Sequence, residues 1–332
     1  MTIRTHAHAR AGLVGNPSDG YFGKTISFSI RNFRAQVTLT ESDHFEILPG
    51  PGDACHFGSV HEFLREQKLL GYYGGQRLVK SAIKCFHAYW QKKNNPLPDR
   101  KFTIGFDTDI PRLVGLSGSS AIIVATLRAM MKFYDRQIPL NELPALTLSC
   151  EKDELGISAG LQDRVIQNYE GIVYMDFDKS LIDSRGYGEY IPLKPPVMPN
   201  LYVAYDPERA EISDVPHRNL RKLFDEGDKT VVGAMKKYRD LTDRGREALM
   251  KGDWDVLGEV MNENFDLRRT FMEIAPENLR MVQVARSTGA SAKFAGSGGA
   301  ICGLYHSGRQ YQELVDALAA IRCTVLRPLI FE

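Results

Sequence analysis

The 332-residue sequence lacks two kinds of apolar segment. It has no apolar run of about 18 residues, the minimum length expected of a membrane-spanning helix. Residues 1–10 mix arginine and histidine with small residues and do not form the apolar core of a secretory signal. We therefore expect a cytoplasmic protein without a membrane partner.

An excess of positive charge is also absent. The 42 lysine and arginine residues are balanced by 41 aspartate and glutamate residues, which leaves a formal net charge of +1. Proteins dedicated to nucleic acids bind through clustered basic residues, so we expect no nucleic-acid partner. The five cysteines are scattered and form no CxxC pair. This pattern indicates reduced thiols and argues against a structural zinc site.

The chain is long enough for more than one hydrophobic core. Apolar residues make up 43% and charged residues 25%, as in an ordinary soluble globular protein. Strand-like and helix-like patterns follow one another, and four prolines between residues 192 and 199 interrupt both. We predict an α+β protein with mainly antiparallel strands and helices on one side, divided into domains 1–190 and 191–332.

The segment Pro111–Ala121 is the most informative part of the sequence, because a strand pattern leads into it and a helix pattern leaves it. Gly115 and Gly118 permit backbone angles that turn several N–H groups into one concavity. A helix that begins near Ser119 adds unpaired N–H groups and a partial positive charge. This arrangement predicts a phosphate-binding loop. The alternative is an ordinary glycine-rich turn with a serine cap.

Two further segments support the phosphate interpretation. Near the start of the chain, Arg10 lies on a strand that runs into the polar turn 15–20. Near its end, residues 293–300 read Lys-Phe-Ala-Gly-Ser-Gly-Gly-Ala, a glycine-rich turn between two apolar strands. Each segment is weak evidence alone, since glycine is common in hairpin turns. Their order and spacing around Pro111–Ala121 are much more specific.

In this order the three segments resemble the sequence motifs of the GHMP kinases. The family pattern Pro-x-x-x-Gly-Leu-[Gly/Ser]-[Gly/Ser]-Ser-Ala matches 111–121 when one extra residue is allowed in its Gly/Ser part. Residues 7–21 and 293–300 resemble the other two motifs. At 15–17 this chain has Gly-Asn-Pro where the family usually has Gly-Glu-His. The resemblance implies an N-terminal domain like ribosomal protein S5 domain 2 and a ferredoxin-like C-terminal α/β domain.

The resemblance also implies that the protein uses ATP with Mg²⁺. The residues expected to contact the nucleotide are Pro111, Gly115, Leu116, Ser117, Gly118, Ser119, Ser120 and Ala121. Ser120 and Glu151 are expected to contact the metal, with Glu154 as an alternative to Glu151. Hard oxygen ligands of this kind suit Mg²⁺.

Asp163 and Arg10 are the catalytic residues that the resemblance implies. The carboxylate of Asp163 would accept or orient the proton of the acceptor hydroxyl. Arg10 would keep that carboxylate ionised, since a neighbouring cation favours its charged form. Without the family, Asp163 would read as an ordinary acidic residue at a helix N-terminus.

Several phrases resemble the members of the family that act on glucuronate, among them 15–27, 159–164 and 264–269. They imply transfer of phosphate to the anomeric hydroxyl of D-glucuronate, with glucuronate 1-phosphate and ADP as products. A uronate needs a cation for its carboxylate, and the sequence does not choose among Lys24, Arg77, Arg164 and Arg268. The expected acceptor contacts are Asp19, Lys24, Arg164, Asn264, Arg268, Gly296, Ser297 and Gly298.

Two alternatives stay open at this point. The acceptor is another sugar, a mevalonate-like acid or homoserine, or the protein binds nucleotide without catalysis. Glu151, Asp163 and the pair Ser119–Ser120 speak against a non-catalytic protein. We expect a monomer or a homodimer.

Overall fold

The protein was analysed as a computed structural model that describes residues 1–50, 74–208 and 214–331. Within these ranges no helix has the length and apolarity needed to cross a membrane. Four of the five cysteines lie there, and all four are free thiols, as predicted; Cys55 lies outside the described residues.

The first sheet is built around two long antiparallel strands, β1 (Thr2–Val14) and β2 (Lys24–Glu41), joined by the turn that contains Gly15. The sequence pattern predicts two short strands for the region that β2 spans without a break. The other strands are β3 (Glu46–Ile47), β4 (Phe102–Thr108), β5 (Ile172–Asp176) and β6 (Glu189–Leu193), ordered β3-β4-β2-β5-β6 with β1 paired to β2.

Several helices pack against this sheet. The central one, α2 (Gly118–Tyr134), is buried along most of its length, because it packs against β1, β2 and the neighbouring α1. The remaining helices of this half are α1 (Gln76–Lys92), α3 (Leu143–Lys152), α4 (Gln162–Tyr169) and α5 (Lys179–Arg185).

The second sheet has the order β10-β7-β9-β8 and is antiparallel throughout. Its strands are β7 (Leu201–Tyr205), β8 (Lys293–Phe294), β9 (Ala300–Leu304) and β10 (Thr324–Leu326). The helices of this half are α6 (Asp214–Asp225), α7 (Lys229–Lys251), α8 (Trp254–Arg268), α9 (Pro276–Ser287) and α10 (Gly308–Ala319).

The proline-rich segment links the two sheets. Pro192 lies in β6, at the edge of the first sheet, where a residue without an N–H is tolerated. The chain then runs through 194–200 into β7 of the second sheet. The domain boundary at residue 190 stays a prediction, and the structure puts the link between the sheets a few residues later.

The largest of three hydrophobic clusters spans both halves. It includes Leu13 and Phe28 from the first sheet, Val203 from the second, and Tyr238 from α7. Helices α7 and α8 pack against β2 and β1, so the second half lies directly against the turn between those strands. This packing brings the three predicted loops to one cleft.

Candidate active site

A cleft of about 1150 Å³ lies between the two halves. The segments that line it are the β1–β2 turn, the loop between β4 and α2, the end of α3, the start of α4 and the turn at 296–297. These include all three segments that the sequence singled out. Six of the predicted nucleotide contacts lie on the cleft wall: Pro111, Gly115, Leu116, Ser117, Gly118 and Ser119. Ala121 is fully buried and does not line the cleft.

The backbone of this loop is held in an unusual shape. Leu113, Gly115 and Ser117 all have positive φ, at 55°, 74° and 63°. A Cβ atom on Gly115 would lie 2.6 Å from the carbonyl oxygen of Gly298, so only glycine fits without a shift. Helix α2 then begins at Gly118, and the first N–H groups of a helix have no acceptor within it. Such a left-handed turn before a helix is a concavity suited to an anion.

Asp163 lies in the first turn of α4, and its carboxylate accepts hydrogen bonds from two arginines and a serine. The Arg10 guanidinium donates to both carboxylate oxygens, from Nε at 2.6 Å and from Nη2 at 2.7 Å. The Ser117 hydroxyl donates to Oδ2 at 2.5 Å. The structure therefore brings Arg10, the phosphate loop and the predicted catalytic carboxylate together.

Glu151, at the end of α3, forms a second ion pair beside the first. Its Oε2 accepts from Nε of Arg164 at 2.6 Å and also from the Nη2 of that residue. Its Oε1 accepts from the Ser119 hydroxyl at 2.8 Å. Arg164 additionally lies 3.3 Å from Oδ2 of Asp163, which couples the two carboxylates.

Two of the aspartates that line the cleft, Asp163 and Asp19, have pKa values shifted in opposite directions. Burial alone would raise the pKa of Asp163, but the guanidinium groups of Arg10 and Arg164 and the Ser117 hydroxyl hold that pKa well below its usual range. Burial, together with the charge of Asp163, raises the pKa of Asp19 to about 6. Asp19 lies close to α4, where its Oδ2 accepts from the Gln162 N–H at 3.1 Å.

Two of the predicted metal contacts need correction. Ser120 is fully buried and its hydroxyl points to the carbonyl of Ser117, 3.4 Å away, so it does not face the cleft. The serine that meets Glu151 is Ser119. Glu154, the alternative to Glu151, forms an ion pair with Lys84 and does not line the cleft.

Three of the predicted acceptor contacts also lie elsewhere. Lys24 pairs with Asp243 at 2.7 Å and Asp176 at 3.7 Å and is absent from the cleft wall. Asn264 is 1% exposed and is bound to the backbone of the β1–β2 turn. Arg268, 2% exposed, donates to the carbonyls of Gly296 and Ser297.

Asn264 and Arg268 therefore position loops. The side-chain oxygen of Asn264 accepts from the Gly15 N–H at 2.6 Å, and its amide donates to the Asn16 carbonyl at 3.2 Å. Of the glycine-rich turn, Gly296 and Ser297 line the cleft, while Gly298 stands behind them against Gly115. Asp19 and Arg164 line the cleft as predicted.

Several residues of the cleft were not predicted from the sequence. Lys152, Arg112, Gln162, Tyr21, Arg221 and Asp225 all line the cleft. Lys152 and Arg112 each follow a predicted site residue in the sequence, and this adjacency could have indicated them. Arg221 and Asp225 lie on α6, far along the chain, and nothing in the local pattern distinguishes them from an exposed helix face.

Comparison with known proteins agrees with this architecture. Residues 77–171 match the family described as GHMP kinases N terminal domain, and residues 246–322 match the family described as GHMP kinases C terminal. Probable glucuronokinase 2 of Arabidopsis thaliana is 44% identical over 300 residues, which cover 88% of this chain and 81% of that protein. Glucuronokinase 1 of the same plant is 42% identical over 305 residues, or 90% and 84% of the two chains.

The fold is also shared with solved structures. Streptococcus pneumoniae phosphomevalonate kinase, in complex with phosphomevalonate and AMPPNP, superposes with a TM-score of 0.78 at 15% identity, covering 99% of this chain and 100% of that one. Fold and site together define a phosphotransferase with an alcohol group as acceptor. The chain belongs to the GHMP kinases.

Proposed function

We propose that the protein is an ATP-dependent uronic-acid kinase that phosphorylates the anomeric hydroxyl of D-glucuronate and releases glucuronate 1-phosphate and ADP. The observation that carries the proposal is the identity of 42–44% to two glucuronokinases along most of the chain. The cleft supports it chemically, because an ionised aspartate and a phosphate-binding loop meet there.

The nucleotide is assigned to the loop before α2. Its left-handed turn and the start of the helix supply N–H donors for phosphate oxygens, and Gly296 and Ser297 cover the loop from the second half of the chain. Arg112 and Lys152 add positive charge on the same wall. Phosphoryl transfer depends mainly on such alignment and charge neutralisation.

The residues present fit a magnesium ion. The Ser119 hydroxyl and the Glu151 carboxylate lie 2.8 Å apart on the cleft wall, and both are hard oxygen ligands. Among the described residues no group of three His, Cys, Asp or Glu side chains is placed to hold a metal. A site of one or two protein oxygens completed by substrate phosphates is the usual arrangement for Mg²⁺. When bound, the ion neutralises charge on those phosphates.

Asp163 orients the acceptor. The hydroxyl oxygen forms a bond to the γ-phosphorus, the bond between that phosphorus and the ADP oxygen breaks, and the hydroxyl proton passes to Asp163 and then to water. A carboxylate with a lowered pKa is a weak base. An anomeric hydroxyl is more acidic than an ordinary alcohol, so good positioning makes up for the weak base.

The test is ADP release over a panel of acceptors: glucuronate, galacturonate, glucose, galactose, mevalonate and homoserine. We expect the highest kcat/KM with glucuronate and a product phosphorylated on the anomeric oxygen. No stimulation by glucuronate, or a clear preference for another acceptor, would reject the proposal. Loss of ADP release with every acceptor would favour a non-catalytic nucleotide-binding protein.

A further inference from the structure

At one edge of the cleft the two halves of the chain are in contact. Arg221, on α6, donates from Nη2 to the carbonyl of Gly20 in the β1–β2 turn. Its guanidinium carbon lies 4.8 Å from the centre of the Tyr21 ring, and Asp225 is 3.5 Å from its Nη1. Stacking and hydrogen bonding therefore hold a flat guanidinium at the edge of the cleft.

Six basic side chains of the described residues line the cleft: Arg10, Arg77, Arg112, Lys152, Arg164 and Arg221. Arg10 and Arg164 are already bound to the carboxylates of Asp163 and Glu151. The next three belong to segments beside the phosphate loop: the start of α1, the loop itself, and the end of α3. We therefore assign these three cations to the triphosphate.

Arg221 belongs to the other end of the cleft. Its partner Gly20 directly follows Asp19, and Asp19 is bound to the Gln162 N–H, one residue before Asp163. The turn and the loop that precedes α4 approach so closely that a Cβ atom on Gly160 would lie 2.0 Å from Oδ2 of Asp19. Going along this wall, the order is therefore the reactive carboxylate, a second aspartate, and then a guanidinium.

These three groups correspond to the functional groups of a uronic acid. The sugar ring carries the reacting hydroxyl on one side of its ring oxygen and the carboxylate on the other side, and the remaining hydroxyls occupy the rest of the ring. Asp163 takes the reactive hydroxyl, and Asp19 is placed for ring hydroxyls. Arg221 presents a planar fork that binds a carboxylate by two parallel hydrogen bonds. Its side chain is 44% exposed, so an entering ligand has access to the guanidinium.

We propose that Arg221 binds the carboxylate of the acceptor and sets the preference for a uronic acid over a neutral sugar. This inference rests on the proposed function. Asp225 shares the guanidinium with the substrate, and its negative charge weakens that contact.

The experiment compares glucuronate with D-glucuronamide, its uncharged counterpart, in the wild type and in Arg221→Gln. Hydrogen bonds to a charged group contribute enough for a loss of about 10- to 150-fold. We expect kcat/KM for glucuronate to fall at least about tenfold, mainly through KM, and that for glucuronamide to change less than about twofold. The KM for ATP should be unchanged. Equal losses for both acceptors, or an unaltered preference for glucuronate, would overturn the inference.

Two further variants separate binding from folding. Lys222→Gln removes the same charge one position along α6, from a side chain that is 76% exposed, and should leave both acceptors unaffected. Asp225→Asn removes the competing carboxylate and should lower the KM for glucuronate but not for glucuronamide. The KM for glucuronate should thus change in opposite directions in the two variants, so Asp225→Asn tests the proposal even if Arg221→Gln does not fold. An unchanged or raised KM for glucuronate in Asp225→Asn would contradict the proposal. If the wild type does not accept glucuronate at all, the proposed function has failed, and Arg221 is not the reason.

Discussion

Arg10 and Asp163, 153 positions apart in the chain, form a two-pronged ion pair with N–O distances of 2.6 and 2.7 Å. The remaining terminal nitrogen of the same guanidinium donates to the carbonyl of Gly115 at 2.6 Å and to that of Ala295 at 3.1 Å. One side chain thus fixes the carboxylate that we propose as catalytic relative to the loop before α2 and to the glycine-rich turn of the second half.

This geometry predicts the effect of removing the carboxylate. Asp163→Asn should lower kcat by about 10²- to 10⁴-fold, since proton transfer and orientation of the hydroxyl are both lost. Arg10→Lys keeps the charge but not the fork, and should lower kcat less. Steady-state kinetics with varied acceptor and ATP measure both effects. Asp153→Asn, an exposed neighbour of Glu151 outside the cleft, is the control. A wild-type kcat in Asp163→Asn would refute the assignment.

The raised pKa of Asp19, about 6, predicts a pH dependence. Ionised Asp19 accepts hydrogen bonds from acceptor hydroxyls, so kcat/KM for the acceptor should rise with pH through about 6. Asp163 stays ionised throughout that range, because its pKa lies well below normal. Asp19→Asn should lose the titration step while keeping a flat, lower profile. A step near pH 6 that persists in Asp19→Asn would point to another group.

The same shift has a consequence for stability with a defined sign. The folded-state pKa of Asp19 is raised above its unfolded value, so protonated Asp19 favours the folded state. Its stabilising contribution is present below about pH 4 and is lost as the pH rises through about 6. Urea unfolding of the wild type and of Asp19→Asn at pH 4 and at pH 8 measures this effect. The free energy of unfolding of Asp19→Asn, relative to that of the wild type, should be higher at pH 8 than at pH 4.

Ser119 and Ser120 are neighbours with opposite orientations, which makes them a matched pair for testing the metal site. The Ser119 hydroxyl meets Glu151, whereas that of Ser120 is buried behind the loop. Ser119→Ala should raise the Mg²⁺ concentration that gives half-maximal activity, and Ser120→Ala should not. Direct titration of Mn²⁺ in the presence of ADP gives a readout independent of turnover. The reverse ranking would restore Ser120 as the metal contact.

The ion pair between Glu151 and Arg164 is nearly inaccessible to solvent, with side-chain exposures of 0% and 6%. Removing one partner leaves a buried charge without its main counter-ion, although Arg164 keeps its contact with Asp163, and we expect a cost of up to about 3–5 kcal/mol. Glu151→Gln and Arg164→Gln should each lower the free energy of unfolding by that order. The double variant should lose less than the sum, because the two effects are coupled. Additive losses in urea unfolding would mean that the pair is not energetically linked.

The parts of the site predicted from sequence are those encoded by contiguous segments. The loop 111–121, the turn after Arg10 and the turn 293–300 each combine residues whose backbone chemistry is readable locally. The α+β fold and the GHMP kinase family are confirmed. The cytoplasmic location, the oligomeric state and the roles of individual site residues stay predictions.

The errors arose where side-chain direction depends on a distant partner. Lys24 points to Asp243 on α7, and Asn264 to the backbone of Gly15, more than 200 positions away in both cases. Ser119 and Ser120 differ only in which face of α2 they occupy, and the exact start of that helix decides this. Arg221 reached the cleft through the packing of α6 on the turn at Gly20, which no local pattern indicates.

Alanine substitutions at Gly115 and Gly156 distinguish the effect of close contact between two loops from the effect of backbone strain. Both have positive φ, at 74° and 67°, so alanine at either position costs about 1–2 kcal/mol for the left-handed conformation. A Cβ on Gly115 would also lie 2.6 Å from the Gly298 carbonyl oxygen, whereas one on Gly156 would meet nothing within 4 Å. Gly115→Ala should therefore push the phosphate loop away from the glycine-rich turn and raise the KM for ATP at least several-fold. Gly156→Ala should lower the unfolding free energy by a similar strain term and leave that KM unchanged. If both variants affected ATP binding equally, the contact between the two loops would have no part in holding the nucleotide.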